Sequence, residues 1–396
     1  MSNPPARCLD VTRLISRLGR GPLTGVDRVE LAYLRHLAAA PAPLFLLART
    51  ALGYILCDGP DAVLRRLEGS EDWGRADLIG RLTRRAHPLK RRAEADLRRL
   101  AAARCGKRGL ARMLAARLPP GTVYFSTGHS NLSRRTLAAW RAVPGATVAV
   151  LIHDTIPLDF PQFQRPGTVD SFRARLENVS AHADMVIYNS RATRADAERW
   201  LAGIGRVPPA LVAHLGVDLA VPGDPAAPEP PYFVTVGTIE PRKNHALLLD
   251  VWDDLGDAAP HLVIAGQRGW ANAEVFARLD ARAGDRILER AGLDDAALAG
   301  LVKGSAALLF PSRAEGYGLP PIEAAGLQVP VICADLPVYR EVLGDIPVYL
   351  SPDDVYSWRD TITRLVAEHQ TGQRQHPAPF QVPRWEDHFN QVLKVM

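Results

Sequence analysis

Apolar residues along this chain fall into short continuous runs separated by stretches in which they recur every three or four positions. The runs Val123–Ser126, Thr147–Ile152 and Met185–Asn189 are rich in β-branched and aromatic residues, which suits strands buried on both faces of a parallel sheet. Helical spacing predicts helices over Arg28–Ala39, Arg134–Val143, Val169–His182 and Arg191–Ala202, with Ser190 as N-cap of the last. The segment Val221–Pro231 then interrupts the alternation with five prolines in eleven residues. Proline lacks the N–H that helices and central strands need, so this stretch predicts an interdomain linker.

Beyond it the alternation restarts, with strands at Tyr232–Val236, His261–Ala265, Ala306–Pro311 and Val329–Cys333 and helices at Ala246–Leu255, Asp295–Lys303 and Pro321–Gly326. The tail, Pro383–Met396, sets Trp385, Phe389, Val392 and Leu393 on one side, as an amphipathic helix would. The fold class this predicts is α/β, two Rossmann-like doubly wound parallel-sheet domains facing across a cleft. Residues 1–220 form the first domain, 221–231 the linker, 232–382 the second domain, and 383–396 a closing helix that packs back on the first. A chain of 396 residues suits two cores of about 150–200 residues each.

Composition adds mostly exclusions. At 47% apolar and 23% charged residues the chain reads as globular rather than disordered. Cys8, Cys57, Cys105 and Cys333 lie far apart without a C-x-x-C pair, so a disulfide framework or zinc site has no support and a reducing compartment fits. The N-terminus lacks the basic-then-apolar run of a secretory signal. The most apolar stretch, Pro41–Cys57, is broken by Arg49 and Gly53 and falls short of the ~20 residues of a spanning helix. A cytoplasmic location follows, extended by one charge feature to a peripheral position on the inner face of the plasma membrane. Between Arg81 and Arg117 thirteen Lys or Arg, Arg84 and Arg85 among them, stand against Glu94 and Asp96. Leu82, Leu89, Leu97, Leu100, Leu110, Met113 and Leu114 recur among them at roughly helical spacing. Such a segment can lie on anionic lipid, or be a solvated helix whose leucines face the core. Nucleic acid is not expected, because no binding motif and little aromatic interleaving accompany the charge.

Candidate chemistry concentrates in one loop. After the apolar run that ends at Pro311 come Gly316 and Gly318, then a Pro-Pro pair that opens a helix, with Glu315 and Glu323 eight residues apart. Glycines let a ligand approach the backbone, free N–H groups at a helix start attract phosphate, and paired carboxylates accept from vicinal hydroxyls. The whole string, PSRAEGYGLPPIEA from Pro311 to Ala324, resembles the signature PS-x-x-EG-(F/Y)-GLP-x-x-EA of the retaining family-4 glycosyltransferases of the GT-B fold. The resemblance implies that Glu315 and the amides of Gly316, Tyr317, Gly318 and Leu319 hold the donor sugar, and that Glu323 holds the nucleotide ribose.

Other segments extend the likeness. Val236–His245 (VGTIEPRKNH) is similar to the family's phosphate-binding turn, with Lys243 matching the lysine on the donor diphosphate. Many members carry Arg after the glycine; here Thr238 stands there, and Arg242 or Thr238 is left to fill that role. Leu262–Trp270 and Ala334–Asp345 also follow the family pattern, whereas Arg286–Leu293 departs from it. In the first half Gly21–Arg28 (GPLTGVDR) resembles the glycine loop facing the diphosphate, through Gly21 and Gly25. Ile152–Pro157 (IHDTIP) resembles the HD-x-x-P segment, which implies that His153 sits near the transferred sugar. Asn189, Ser190 and Arg191 end the next strand on the acceptor side.

The function these features predict is transfer of a hexose, mannose favoured, from a nucleotide diphosphate sugar to a polysaccharide or lipid-linked oligosaccharide acceptor in cell-surface glycan biosynthesis. The resemblance implies retention of configuration, with His153, Glu315 and Lys243 at the catalytic centre. The chain holds no Asp-x-Asp, so neither metal nor cofactor is expected. GDP-mannose leads as donor because the GTIEPRKN form of the lysine turn looks like that of bacterial polysaccharide mannosyltransferases. Two rivals are a non-catalytic partner subunit of the same fold and a dinucleotide-dependent oxidoreductase. The second would need a G-x-G-x-x-G after a strand with an acid about 20 residues on, a combination not found.

Overall fold

The computed structural model describes residues 5–82, 86–270, 272–282, 286–373 and 377–396. Fourteen strands among these residues form two sheets. The first takes β1 (Arg7–Asp10), β2 (Leu44–Thr50), β3 (Gly53–Cys57), β4 (Ala101–Cys105), β5 (Val123–Ser126), β6 (Thr147–Ile152), β7 (Met185–Tyr188) and β8 (Ala210–Val212), in the order β4-β3-β2-β1-β5-β6-β7-β8. The second takes β9 (Tyr232–Val236), β10 (His261–Ala265), β11 (Ile287–Arg290), β12 (Ala307–Phe310), β13 (Val331–Ala334) and β14 (Val348–Leu350), in the order β11-β10-β9-β12-β13-β14. Helices cover both, and β5, β6, β9 and β10 have the bounds the apolar runs predict. In each sheet the strand order reverses once, between β1 and β5 and between β9 and β12, and these switch points mark where ligands bind.

The second sheet is parallel throughout. The first departs from expectation at one edge, where β3 runs antiparallel to both β2 and β4. The apolar stretch around Arg49 and Gly53 is the hairpin that makes this turn, Thr50 pairing with Gly53 across Ala51 and Leu52. β4 therefore ends on the same edge as β1, β2 and β5.

The basic segment 81–117 is no continuous amphipathic helix; Arg84, Arg85 and the Leu82 side chain lie outside the described residues. It folds into a helix (Pro88–Arg99), then β4, then a second helix (Leu110–Arg117), because Ala101–Cys105 finds β3 as a partner and Gly106 and Gly109 turn the chain. Leu97, Leu110 and Leu114 are buried in the first domain. Arg98 bridges both oxygens of Asp77 at 2.7 Å, and Arg92 caps the carbonyls of Trp73 and Gly74. Arg104, Lys107, Arg108, Arg112 and Arg117 stay exposed. Among the described residues no helix is long and apolar enough to cross a membrane.

Two passages join the domains and pair with each other, Val217 N–H donating to the Pro383 carbonyl at 2.9 Å. The Pro-rich stretch runs along the Asp295–Gly304 helix, with Gly223 N–H on the Ala296 carbonyl. The Trp385–Lys394 helix packs on the Gly25–Ala39 helix of the first domain, the Phe389 ring stacking on His36 at 3.8 Å and His388 Nε2 lying 2.8 Å from the Tyr33 hydroxyl. Glu341 of the second domain caps the Arg191–Ile204 helix of the first, accepting from the Arg191 and Ala192 amides. These contacts hold the two carboxyl edges face to face.

Candidate active site

The second domain supplies a compact charged cluster. After β9 the chain turns at Gly237, makes one tight turn at Pro241–Lys243, and enters the His245–Leu255 helix through Asn244 in the left-handed conformation. That turn aims Lys243 back across the sheet end, its ammonium 4.4 Å above the Phe310 ring and 2.6 Å from Glu315 Oε1. Arg242 bonds the other Glu315 oxygen at 2.9 Å, the Ala314 carbonyl at 2.7 Å and Glu240 at 2.7 Å. It therefore braces the loop as much as it offers charge. Thr238 sits exposed on the rim with its methyl toward Gly269. Burial alone would raise the Glu315 carboxyl; Arg242 and Lys243 outweigh it and hold the group at about 2. Burial, reinforced by Arg242, pushes Lys243 below the usual amine value while Glu315 opposes.

The loop between β12 and the Leu319–Gly326 helix exposes its backbone. Gly318, at φ +86°, is the helix N-cap in a conformation that L side chains rarely adopt, and a methyl there would meet the Tyr339 ring at 2.3 Å. The amides of Gly316, Tyr317, Gly318 and Leu319 have no protein acceptor among the described residues. Four free donors beside a helix start make an anion cradle. The Tyr317 side chain turns away from it; buried, it donates its hydroxyl to the Leu215 carbonyl at 2.9 Å, pinning the loop to the interdomain passage. Among these elements Tyr317 offers the cleft only its amide.

The first domain meets this cluster across the cleft. His153 follows β6, is buried, and its Nε2 lies 2.6 Å from the Thr127 carbonyl. A carbonyl only accepts, so Nε2 carries the proton and the imidazole is neutral; burial, opposed by that carbonyl and aided by Arg13, lowers it to about 4. Asn189 and Thr193 both donate to the His153 carbonyl, so Asn189 lies behind the histidine rather than facing an acceptor. Ser190 caps the Arg191–Ile204 helix as its sequence predicts. Gly316 comes so close that a methyl on it would lie 2.5 Å from the His153 carbonyl oxygen, and its own carbonyl accepts from Thr193 at 3.1 Å.

The glycine loop closes from the other side. A capping box between Thr24 and Asp27, locked by Arg13 on Asp27 at 2.6 Å, starts the Gly25–Ala39 helix. Gly25 then faces the Leu319 side chain and Gly21 the Gln267 amide. Arg28, one turn into the helix, reaches Glu323 Oε1 at 2.5 Å. A small cavity of about 40 Å³ opens beside this pair, lined by Leu219, Val236, Leu298 and Pro320. His153, Gly21 and Gly25 thus line one side of the cleft, and Lys243, Glu315, Glu323 and the amide loop the other.

Sequence reading missed several neighbours. Asp154 is half-buried, its carboxyl raised by desolvation, and lies close to Gly316. The His129 ring lies 5.0 Å from that of His153, and His129 Nε2 is 2.8 Å from the Leu151 carbonyl. His129 follows β5 at the switch point, so the strand-end rule alone would have marked it. Arg28 and Gln267 lie within the matched segments Gly21–Arg28 and Leu262–Trp270 but had no role there, because only the domain arrangement brings them to the site. Among the described residues no set of three His, Cys, Asp or Glu side chains is placed to hold a metal.

Two doubly wound domains closing on a pocket at their facing carboxyl edges define the GT-B fold of glycosyltransferases. The fold likeness extends to 98% of the chain in Anabaena HepE, solved with UDP-glucose, at a TM-score of 0.60 and 13% identity, covering 94% of that protein. Residues 222–376 match the family model of glycosyl transferases group 1, and the second domain belongs to that family. Two curated relatives are each 33% identical. One is the serotype-specific mannosyltransferase WbdA of Escherichia coli, over 236 residues, 53% of this chain and 29% of WbdA. The other is the O-antigen chain mannosyltransferase RfbU of Salmonella typhimurium, over 137 residues, 34% of this chain and 38% of RfbU. The chain thus spans about a third of the length of these relatives.

Proposed function

We propose that this chain is a retaining, metal-independent glycosyltransferase. It transfers a hexose, mannose favoured, from a nucleotide diphosphate sugar to a polysaccharide or lipid-linked oligosaccharide in cell-surface glycan assembly. The observation that carries this reading is the contact of His153 with Gly316 across the cleft, beside the Glu315–Lys243 pair. Lys243 and the amides of Gly316–Leu319 receive the diphosphate, Glu315 the hexose hydroxyls, and Glu323 the ribose. Gly21 and Gly25 let the first domain approach the phosphates closely, and Thr238 and Arg242 complete the rim.

In the reaction the bond between the hexose anomeric carbon and the β-phosphate oxygen breaks as the acceptor oxygen bonds the same face. The acceptor proton passes to the departing phosphate. Positive charge fixed at the diphosphate stabilises the leaving group where its negative charge grows. Neutral His153, its Nε2 proton given to the Thr127 carbonyl, leaves Nδ1 to accept a hydrogen bond without adding charge, and closure excludes water that would hydrolyse the donor. Mannose and GDP-mannose are favoured by the mannosyltransferase relatives and by the form of the lysine turn. Exposed Arg104, Arg108, Arg112 and Arg117 offer a face to an anionic membrane surface on the cytoplasmic side.

Thermal-shift screening against GDP, UDP and dTDP names the base; a ligand at about 100 times its Kd stabilises by about 2.7 kcal/mol. Transfer from the matching donor, assayed with and without chelator, then tests the activity, and an inverted product sinks the retaining mechanism. Lys243→Ala should lower kcat by about 100- to 1,000-fold. If Lys243→Ala and Glu315→Ala leave all function intact, the chain is a scaffold subunit.

A further inference from the structure

A second feature of the cleft lies on the first domain, past His129. Because β3 is antiparallel, β4 ends beside β1, β2 and β5, and the loops after these strands surround two adjoining cavities of about 490 and 380 Å³. Both are lined by Arg49 and Lys107, with Lys90 and Arg175 in the larger and Arg134 and Arg135 in the smaller. No carboxylate lines either cavity. The whole chain carries a net charge of only +5, yet six cations gather in this one groove. Among the described residues only Lys90 has an acidic partner, Glu94 at 3.8 Å, while Arg49 bonds nothing but the Ser130 carbonyl through its guanidinium.

Arg175 carries the most weight. It is half-buried without an ion pair, and burial together with Arg49 and Arg13 depresses its guanidinium below the usual value. Like charges held close without a counter-ion are unfavourable unless an anion arrives to offset them. Ser130, which lines the larger cavity, follows His129, whose ring neighbours that of His153, so the groove lies beside the proposed transfer point.

The geometry points to an acceptor subsite for a phosphate or diphosphate ester, built by Arg49, Arg175, Lys107, Arg134 and Arg135 next to the sugar-transfer centre. It rests on the transferase reading for its placement, and adds that the acceptor bears phosphate close to the reacting hydroxyl. A single carboxylate would leave most of these cations unmatched, whereas a diphosphate engages several at once.

Two measurements test it on the full chain. In the first, inorganic pyrophosphate is titrated calorimetrically with saturating GDP or UDP filling the donor's phosphate site. Binding is expected, weakening with salt, and each of Arg49→Gln, Arg175→Gln and Lys107→Gln should weaken it about tenfold, equivalent to about 1.4 kcal/mol. In the second, transfer is compared among a mannoside with a diphosphate-linked alkyl chain, the same mannoside as a water-soluble phosphate ester, and a neutral alkyl mannoside. Wild type should favour both phosphate-bearing acceptors at least tenfold in KM, and the Arg49→Gln/Arg175→Gln variant should bring that ratio toward one. A preference confined to the diphosphate-alkyl acceptor assigns the phosphate to a lipid carrier; equal preference assigns it to the glycan. Absent pyrophosphate binding, or binding indifferent to all three substitutions, overturns the subsite even where transfer is robust. Pyrophosphate binding without transfer to any acceptor upholds the anion groove and removes the transferase reading instead.

Discussion

Substituting Glu315 by Gln removes one negative charge from a buried cluster while nearly preserving shape. In the wild type its carboxylate is 9% exposed and bonds Lys243 at 2.6 Å and Arg242 at 2.9 Å. Those cations hold it at about 2, against an ordinary carboxyl value of 4.5. Between these values the unfolded chain binds a proton that the folded protein refuses. Stability from this group is therefore full above about 4.5 and is lost as pH falls toward about 2. The shift corresponds to roughly 3 kcal/mol, near the 3–5 kcal/mol typical of breaking one side of a buried ion pair. Glu315→Gln should thus melt about 6–12 °C below wild type at pH 7.

Two controls separate this electrostatic account from simple packing damage. The gap between variant and wild type should narrow as pH falls from 4.5 toward 2, because wild type then loses the same charge. A bound nucleoside diphosphate should also narrow it, since phosphate supplies the anion that Lys243 has lost. Calorimetric melting across pH, with and without GDP or UDP, reads both effects. A variant that melts with wild type at neutral pH, or a gap that stays constant on acidification, refutes the assignment of Glu315 as the counter-charge of the lysine turn.

Four further outcomes are expected. Tyr317→Phe removes the bond to the Leu215 carbonyl and should cost about 1–3 kcal/mol in melting experiments with donor KM hardly changed; a large KM effect instead would make its hydroxyl a donor ligand. The Arg28–Glu323 pair is part-exposed, so Arg28→Gln should alter nucleotide affinity by no more than about fivefold, or about 1 kcal/mol. Glu323→Gln should weaken a ribonucleotide but not its 2′,3′-dideoxy analogue, and equal weakening of both in calorimetry would exclude a ribose contact. His153, lowered to about 4, stays neutral in the folded protein while the unfolded chain protonates near 6.5, so its contribution erodes as pH falls from 6.5 to 4. The kcat profile should show no inflection near 6.5 from this group; one that disappears in His153→Asn would contradict the buried neutral imidazole.

Local chemistry made much of the second domain readable in advance. Apolar runs such as Tyr232–Val236 and His261–Ala265 are strands because both their faces are buried, and burial leaves a continuous signature in composition. The loop from Glu315 to Glu323 and the turn holding Lys243 carry their chemistry in contiguous residues, so their residue types and order are enough to single them out. The edge of the first sheet was harder. Ala101–Cys105 is short, partly exposed and neither β-branched nor aromatic, and it becomes a strand only because β3 offers it hydrogen bonds.

What the chain order by itself determined, then, is the set of α/β units, the proline-rich break between them, and the two loops rich in glycine and charge. Tertiary structure alone decided which loops meet: Arg28 with Glu323 across 295 residues, His153 with Gly316, and Arg49 with Lys107 beside a common groove. Tyr317 shows why the two differ. Its place in a signature loop marks it for the ligand, yet its hydroxyl is claimed by the Leu215 carbonyl, which spacing along the chain cannot foresee. Helix and strand periodicity report on which face a residue buries, whereas contacts between domains depend on the angle at which two finished surfaces close, and no local pattern encodes that angle.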